Sequence, residues 1–359
     1  MIFFFVIILG EPTEQTPSKI NCPFAIQPII DKIKDAAVID PIEALKILQM
    51  DVIQGRPLEL ATMADTVDGE TNFITVDRDN ILVSTFSELQ YVDNLRLTFN
   101  VDFIGEQCVD LGGPRKEWIR MMNHAIKEKY FDHGLREMLA EDYYYVGIMI
   151  AVAMLQNGQL PVFMEDNIIQ QIISSSSLDQ CILQLQRGLE MLGMLSALQQ
   201  LPMLSHLLRP GAQMALNVQK LLHLLQAKFS EEGSNSRAQE KECYQMFVKY
   251  VREVASGRRS VNGSNLGLGD ILSFVTGASE EPPLGFQLHP SIEFTSTQEL
   301  KRNGQEGEAS FAACFVPTAR TCVNVLSLPR GTFQFPLPTM EKLFALYDEV
   351  FCQKFFGVQ

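Results

Sequence analysis

The sequence lacks a hydrophobic run long enough to cross a membrane. Its most apolar stretches are residues 1–9 and residues 146–155, whereas a transmembrane helix needs about 20 residues. Residues 1–9 also lack the basic flank of a secretory signal. A truncated signal and a stray leader both fit them, and we favour a loose leader over residues 1–22. Residues 146–155 predict a buried core helix, and no membrane partner is expected.

Basic charge is scarce. The chain has 29 Lys and Arg against 43 Asp and Glu, a net charge of −14. Binding a nucleic-acid backbone requires basic side chains that neutralise phosphates, and no basic stripe with interleaved aromatic residues is present. We therefore expect no nucleic-acid partner. A length of 359 residues with 46% hydrophobic residues instead indicates a soluble globular protein with two or three domains.

Paired cysteines and metal-binding spacings are also missing. The seven cysteines include no Cys-x-x-Cys pair and no Cys/His cluster, which argues against a metal site. Their odd number and wide spacing argue against a disulfide framework, so we expect a reducing compartment, the cytoplasm first and the nucleus second. Gly267 and Gly269 lack the third Gly and the Lys-Ser/Thr of a phosphate loop. No cofactor is expected.

One cysteine, Cys322, has distinctive neighbours. It follows Arg320 and Thr321 directly and precedes an apolar-rich segment over residues 323–329, which is typical of a half-buried strand. Pro317 and the polar residues after it predict a loop that leads into this strand. The thiol would then lie at a loop–strand junction, held rigidly and open to a large partner. A small buried hydrophobe is the usual role of such a cysteine, and the residues alone leave that alternative open.

This segment resembles the active-site segment of the HECT-type ubiquitin ligases, which reads Leu-Pro-x-Ala-x-Thr-Cys-Phe-Asn-x-Leu-x-Leu-Pro. Val316, Arg320 and Val323 depart from the family's usual Leu, His and Phe. The matching positions are Pro317, Ala319, Thr321, Cys322, Asn324, Leu326, Leu328 and Pro329.

Two further segments carry the resemblance, in the family's order. Residues 95–103 alternate apolar and polar side chains as a strand does, and residues 110–118 match the Asp-x-Gly-Gly-x-x-Arg-Glu-Trp of the family's N-lobe, with Lys116 at the Arg position. An ordinary strand–turn–helix, with Lys116 and Glu117 in structural ion pairs, fits equally well. Residues 274–286 match the Phe-Val-Thr-Gly and Pro-x-x-Gly-Phe of the C-lobe.

The resemblance implies an α+β, bilobal fold, with a mostly helical N-lobe and a smaller α/β C-lobe that carries the catalytic cysteine. We expect a helical lead-in and linker over residues 23–75, an N-lobe over residues 76–230, a hinge over residues 231–237 and a C-lobe over residues 238–359. The hinge assignment rests on the small polar composition of residues 229–237. Only residues 161–180 stand where the family has the subdomain that docks the conjugating enzyme, so we expect a shortened N-lobe.

Local patterns predict several elements independently of the family. Asp40 and Pro41 predict the start of a helix that runs to Val52, and residues 62–80 predict a polar linker or exposed loop. Residues 339–355 predict a closing helix. A leucine stripe at helical spacing predicts buried core; it comprises Leu185, Leu189, Leu192, Leu195 and Leu198.

The chemistry that the resemblance implies is acyl transfer. Cys322 would take ubiquitin from a conjugating enzyme as a glycyl thioester and pass it to lysines of protein substrates. Arg320 would raise the thiolate fraction through its fixed charge, and Thr321 would offer its hydroxyl or backbone N–H to the tetrahedral oxyanion. Phe356, fourth from the end, stands where the family commonly uses an aromatic residue for transfer; packing of the terminal helix is its alternative role.

Two other functions stay open. The chain is compatible with a catalytically weak HECT remnant that acts as an interaction protein. It is also compatible with a cysteine hydrolase that uses Cys322 with His289, which would require a histidine and an orienting Asn or Asp to converge on the thiol.

Overall fold

The computed structural model describes residues 22–60, 62, 68–106, 112–174, 179–209, 216–261, 263–296 and 314–352. Within these ranges the chain is a mixed α+β protein, as the sequence predicted. The proposed leader, apart from Cys22, and Phe356 lie outside the described residues. None of the helices in these ranges combines the length and the apolar character that crossing a bilayer requires.

The first part of the chain is mainly helical. Its elements are α1 (Gln27–Asp35), α2 (Pro41–Val52), β1 (Thr71–Val76), α3 (Ile81–Leu89), β2 (Thr98–Phe103), α4 (Gly113–Ile126), α5 (Asp142–Leu155), α6 (Asp166–Ile173), α7 (Gln180–Glu190) and α8 (Met194–Gln200). A π-helical turn, Lys127–Phe131, extends α4, and 3-10 turns cover Glu137–Leu139 and Pro202–Leu208.

Local sequence signals explain three of these helices. The Asp40 side chain caps α2 by accepting a hydrogen bond from the Ile42 N–H. Pro114 lies in the first turn of α4, where its missing N–H costs nothing. The core-helix prediction is confirmed by α5, which is buried along nearly its whole length. The predicted leucine stripe is buried in α7, in α8 and between them.

The prediction of a loop over residues 62–80 is wrong for β1. Residues 71–76 pair in parallel with β2, from Thr71 opposite Thr98 to Val76 opposite Phe103. The inward side chains of β1, Ile74 and Val76, are buried against the first core, and this long-range pairing overrides a weak local pattern. The strand predicted over residues 95–103 is confirmed only from Thr98 onward.

The second part of the chain surrounds a sheet. Its elements are α9 (Val218–Leu224), β3 (Gln226–Ala227), α10 (Asn235–Ala255), β4 (Ser260–Val261), β5 (Ser264–Asn265), α11 (Leu268–Thr276), β6 (Ser291–Ser296), β7 (Thr318–Arg320), β8 (Val325–Arg330) and α12 (Met340–Phe351). Among the described residues the larger sheet has the order β3-β6-β8-β7. Neighbours are parallel except for β7, which runs antiparallel to β8.

The buried apolar residues form two hydrophobic clusters. The first contains residues between Ile26 and Leu208, and the second contains residues between Leu221 and Phe351. The second cluster therefore begins before the proposed hinge at residues 231–237. Within that segment, α10 starts at Asn235.

Candidate active site

Cys322 lies in the four-residue connection, residues 321–324, between β7 and β8. Arg320 faces Val325 as the last strand pair before this connection. The Val323 N–H donates to the Arg320 carbonyl at 3.2 Å, which closes a β-turn with Thr321 and Cys322 at its central positions. The cysteine is therefore at the tip of a hairpin turn, three residues before the strand that was expected to follow it directly.

The Cys322 side chain is partly exposed. A thiol buried among apolar neighbours, with no access to solvent, would have excluded a catalytic role. Thr321 and Val323 are also only partly buried, so the tip of the turn is open to a partner. The base of the turn is closed to solvent, because Asn324 is only 3% exposed.

Asn324 fastens the base of the turn to the strand beside it. Its backbone has a φ of 55°, in the left-handed region that Asn tolerates better than most residues. Its Nδ2 donates to the Leu288 carbonyl at 2.8 Å, and its carbonyl accepts from the Ser291 N–H at 2.9 Å. Leu288 lies three residues before β6 and Ser291 is the first residue of β6, so two hydrogen bonds tie the turn to this segment.

The tip of the turn carries hydrogen-bond donors that are not in use. Within the described part of the chain, the backbone N–H groups of Thr321 and Cys322 and the Thr321 hydroxyl make no hydrogen bond. Free N–H groups beside a nucleophile are the groups that stabilise the oxyanion of an acyl-transfer intermediate. The geometry therefore brings a reachable thiol and candidate oxyanion donors together.

Arg320 is exposed and already has a partner. Its Nη2 lies 2.7 Å from Oε2 of Glu293 on β6, and Lys228 Nζ lies 3.4 Å from the other oxygen of that carboxylate. The carboxylate of Glu293, which Arg320 shares with Lys228, offsets part of the positive charge that Arg320 was expected to lend to Cys322. Sequence reasoning missed this ion pair because β8 separates the two strands involved.

His289 does not form a catalytic pair with Cys322 among the described residues. Its Nδ1 lies 3.1 Å from the Pro290 carbonyl, and its ring meets that of His223 edge-on at 6.5 Å between centroids. The hydrolase alternative requires an imidazole hydrogen-bonded to the thiol, and no such bond is present in this part of the chain.

Four other thiols in the described ranges are less suited to act as nucleophiles. Burial raises the pKa of Cys22 and of Cys181 to about 11 and that of Cys243 to about 12. Burial also raises the pKa of Cys352. Because the thiolate is the reactive form, these four are poorly ionised near neutral pH. Cys314 is partly buried and serves as a comparison for Cys322.

The loop before β6, which contains the end of the third segment of the family resemblance, is hydrogen-bonded to residues of the first part of the chain. Asn157 bonds twice to the loop before β6, since its Oδ1 accepts from the Leu284 N–H at 3.1 Å and its Nδ2 donates to the Gly285 carbonyl at 2.9 Å. Glu59 Oε2 accepts from the Gln287 N–H at 3.3 Å. These hydrogen bonds hold the segment at 282–287 on the first cluster.

A buried ion pair lies at the centre of this contact. Lys116 Nζ is 3.1 Å from Glu59 Oε1, with the side chains 3% and 7% exposed. Lys116 Nζ also lies 4.9 Å from the centre of the Phe286 ring. Burial alone would raise the pKa of Glu59, but the charges of Lys116 and Arg115 outweigh it and lower that pKa. Lys116 therefore takes part in a structural ion pair, which is one of the two roles that the sequence left open for it.

No metal site emerges from the described ranges, which contain no group of three His, Cys, Asp or Glu side chains placed to hold an ion. Comparison with known proteins adds no assignment: no protein-family model matches the chain, and no curated protein matches it.

Proposed function

We propose that this protein is a HECT-type ubiquitin–protein ligase whose nucleophile is Cys322. The observation that carries the proposal is the hairpin turn, where a partly exposed thiol lies beside unused N–H donors and above a buried base. Ubiquitin, a ubiquitin-conjugating enzyme and substrate proteins are the partners, and no cofactor is needed. The cytoplasm and the nucleus, where thiols stay reduced, are the proposed locations.

The proposed reaction has two acyl transfers. In the first, the Cys322 thiolate attacks the thioester carbonyl of charged ubiquitin, the Cys322–carbonyl bond forms, and the thiolate of the conjugating enzyme leaves. In the second, a neutral lysine amine attacks the new thioester, an amide forms, the amine loses a proton to solvent, and the Cys322 thiolate leaves. In both steps the N–H groups of Thr321 and Cys322 would donate to the oxyanion.

Two lobes give this reaction its geometry. We propose an N-lobe and a C-lobe that follow the two hydrophobic clusters, so that the boundary falls between Leu208 and Leu221 rather than at residues 231–237, with Phe356 of the C-lobe assisting transfer. The presence of two hydrophobic clusters supports two lobes. One cysteine must meet two different partners at attack distance, which a relative movement of the lobes would allow.

A weak HECT remnant is the second candidate, and one observation favours it. The described residues of the segment 161–180 contain α6 and the first residue of α7. The apolar side of α6, Ile168, Ile169 and Ile172, is buried on the first cluster. No separate docking subdomain stands out in these residues. A protein of this kind would bind partners with little ubiquitin transfer.

A thioester assay separates the two candidates. Incubation with ubiquitin-charged conjugating enzyme should yield an adduct that a reducing thiol removes, and Cys322→Ala should abolish it. Cys314→Ala and Cys352→Ala are the matched controls and should retain it. An adduct that persists in Cys322→Ala would place the nucleophile elsewhere, and the absence of any adduct from the unaltered protein would favour the remnant.

A further inference from the structure

Asn324 combines three features that stability alone does not explain. Its backbone adopts the left-handed conformation, with a φ of 55°. Its side chain is buried, and Oδ1 has no hydrogen-bond partner among the described residues. An unpaired buried acceptor is unfavourable, and a left-handed backbone is less favourable than an ordinary conformation even for Asn, which tolerates it better than most residues. Residues with such features persist where the surrounding structure has to hold one particular local conformation.

The hydrogen bonds of Asn324 identify that conformation. Nδ2 and the backbone carbonyl both bond to the segment 288–291, at 2.8 Å and 2.9 Å. Because β6 and β8 run in parallel with Ser291 opposite Val325, this segment lies directly beside the base of the turn. Asn324 is thus the residue that fixes where the turn leaves the sheet.

Cys322 is two residues before this anchor. The β-turn places Thr321 and Cys322 at its centre and leaves their N–H groups unused within the described structure. A different backbone at Asn324 would rotate the peptide groups that precede it, moving the thiol relative to those donors. The thiol would keep its exposure but lose its orientation.

We infer that Asn324 is a positioning residue for acyl transfer, which holds residues 321–324 so that the Cys322 thiol and the free N–H groups face one incoming carbonyl. This inference rests on the proposed function. The inference separates two properties of Cys322. The exposure of the thiol determines its general reactivity, whereas Asn324 determines how the thiol is oriented towards a thioester.

Two substitutions of Asn324 separate the effect of its side-chain amide from the effect of its left-handed backbone. Asn324→Ala removes the amide and disfavours the left-handed backbone, whereas Asn324→Gly removes only the amide and leaves that backbone accessible. Asn123→Ala is the matched control, because Asn123, on α4, is also buried and its Nδ2 donates to the Gln159 carbonyl at 2.7 Å. It removes the same kind of hydrogen bond far along the chain from the turn.

The test compares two reactions of the same thiol in the full-length protein. Single-turnover transfer from a small-molecule thioester of ubiquitin needs orientation, whereas alkylation by iodoacetamide needs only access. Misplacing a reacting group by about 1 Å costs on the order of 100-fold in rate. For Asn324→Ala we expect a loss of at least about 30-fold in the maximal rate of transfer, on that same basis. Alkylation should stay within about threefold of the unaltered protein, since it requires no oriented donors.

The variants also distinguish this inference from the proposed function. Asn324→Gly should show an intermediate loss of transfer, and Asn123→Ala should leave both reactions unchanged even if it lowers the melting temperature. If Asn324→Ala and Asn324→Gly transfer as fast as Asn123→Ala, the inference fails while the ligase proposal stands. If transfer and alkylation fall together, Asn324 governs access or folding rather than orientation, which also overturns the inference. If the unaltered protein forms no thioester, the proposed function fails and this inference fails with it.

Discussion

The buried ion pair between Lys116 and Glu59 leads to a testable prediction about the free energy of unfolding. Replacing Lys116 with Met keeps most of the side-chain volume but leaves the Glu59 carboxylate buried without its ion-pair partner. Removing one member of a buried pair typically costs 3–5 kcal/mol. Glu59 keeps its hydrogen bonds from Asn157 and Gln287 and the nearby charge of Arg115. We therefore expect the low end of that range, about 3 kcal/mol.

A second substitution isolates the charge. Glu59→Gln in the Lys116→Met background removes the uncompensated carboxylate and keeps an acceptor for the Gln287 N–H. The double variant should recover to within about 1.5 kcal/mol of the unaltered protein, because neutral replacement of both partners is often tolerated. Lys127→Met is the matched control, since its pair with Asp132 at 2.7 Å is exposed by 48% and 37%. It should cost less than about 1 kcal/mol.

The contribution of Glu59 to the free energy of unfolding depends on pH, and the direction of its pKa shift determines the sign of that dependence. The folded-state pKa of Glu59 lies below the ordinary value of 4.5, so its contribution to stability is complete above that pH and is lost as the pH falls through the lower, folded-state value. In Lys116→Met the pKa of Glu59 should rise, because the largest attractive charge is gone. The variant then gains a proton in the folded state at mildly acidic pH, and its deficit against the unaltered protein should shrink on acidification.

Urea unfolding followed by tryptophan fluorescence is the assay. Trp118, the single tryptophan, is fully buried in α4, two residues after Lys116. Lys116→Met should shift its transition to lower urea, and the double variant should restore most of the shift. A loss in Lys116→Met no larger than that in Lys127→Met would refute the reasoning, as would a deficit independent of pH.

Two further predictions follow from local geometry. Arg320→Gln should change the alkylation rate of Cys322 at neutral pH by less than about twofold. Glu293, at 2.7 Å, already offsets part of the Arg320 charge, and interactions between exposed charges are weak. A larger fall in the alkylation rate would show that Arg320 activates the thiol. Gly277→Ala should lower the free energy of unfolding by about 2 kcal/mol or more, because its φ is 77° and a Cβ would lie 2.5 Å from the Gly113 carbonyl oxygen. Gly257→Ala, with a φ of 71° and open space around it, is the control for backbone strain alone and should cost about 1 kcal/mol in the same unfolding measurement; equal losses would disprove the close contact.

The helices could be predicted because their signals are local. Asp40 and Pro41 mark the start of α2, and the apolar spacing of Trp118 and Met122 marks the buried side of α4. Both signals are contained in a few consecutive residues. The strand β1 could not be predicted in the same way, since its stability comes from β2, which lies more than twenty residues further along the chain.

The candidate site was only partly predictable. The motif pointed to Cys322 and a neighbouring strand, but not to the hairpin turn or to the bonds of Asn324 with the segment before β6. The ion pair of Arg320 with Glu293 depends on β6 and β7 lying on either side of β8. Strand order is a property of the whole fold, which the short segment around Cys322 does not encode. The signal that could have drawn attention to Asn324 is its residue type, because Asn tolerates the left-handed backbone.

The most direct test of the central claim is intact-mass measurement of ubiquitin on Cys322 with two donors at matched concentrations. A small-molecule thioester of ubiquitin needs no docking surface, whereas a charged conjugating enzyme does. An interface much below about 1,000 Å² is usually transient, so the shortened N-lobe that the family resemblance predicts would slow loading from the enzyme. We predict one thiol-sensitive ubiquitin on Cys322 from both donors, formed more slowly from the conjugating enzyme and absent in Cys322→Ala. No adduct from either donor, or an adduct that survives in Cys322→Ala, would contradict the account.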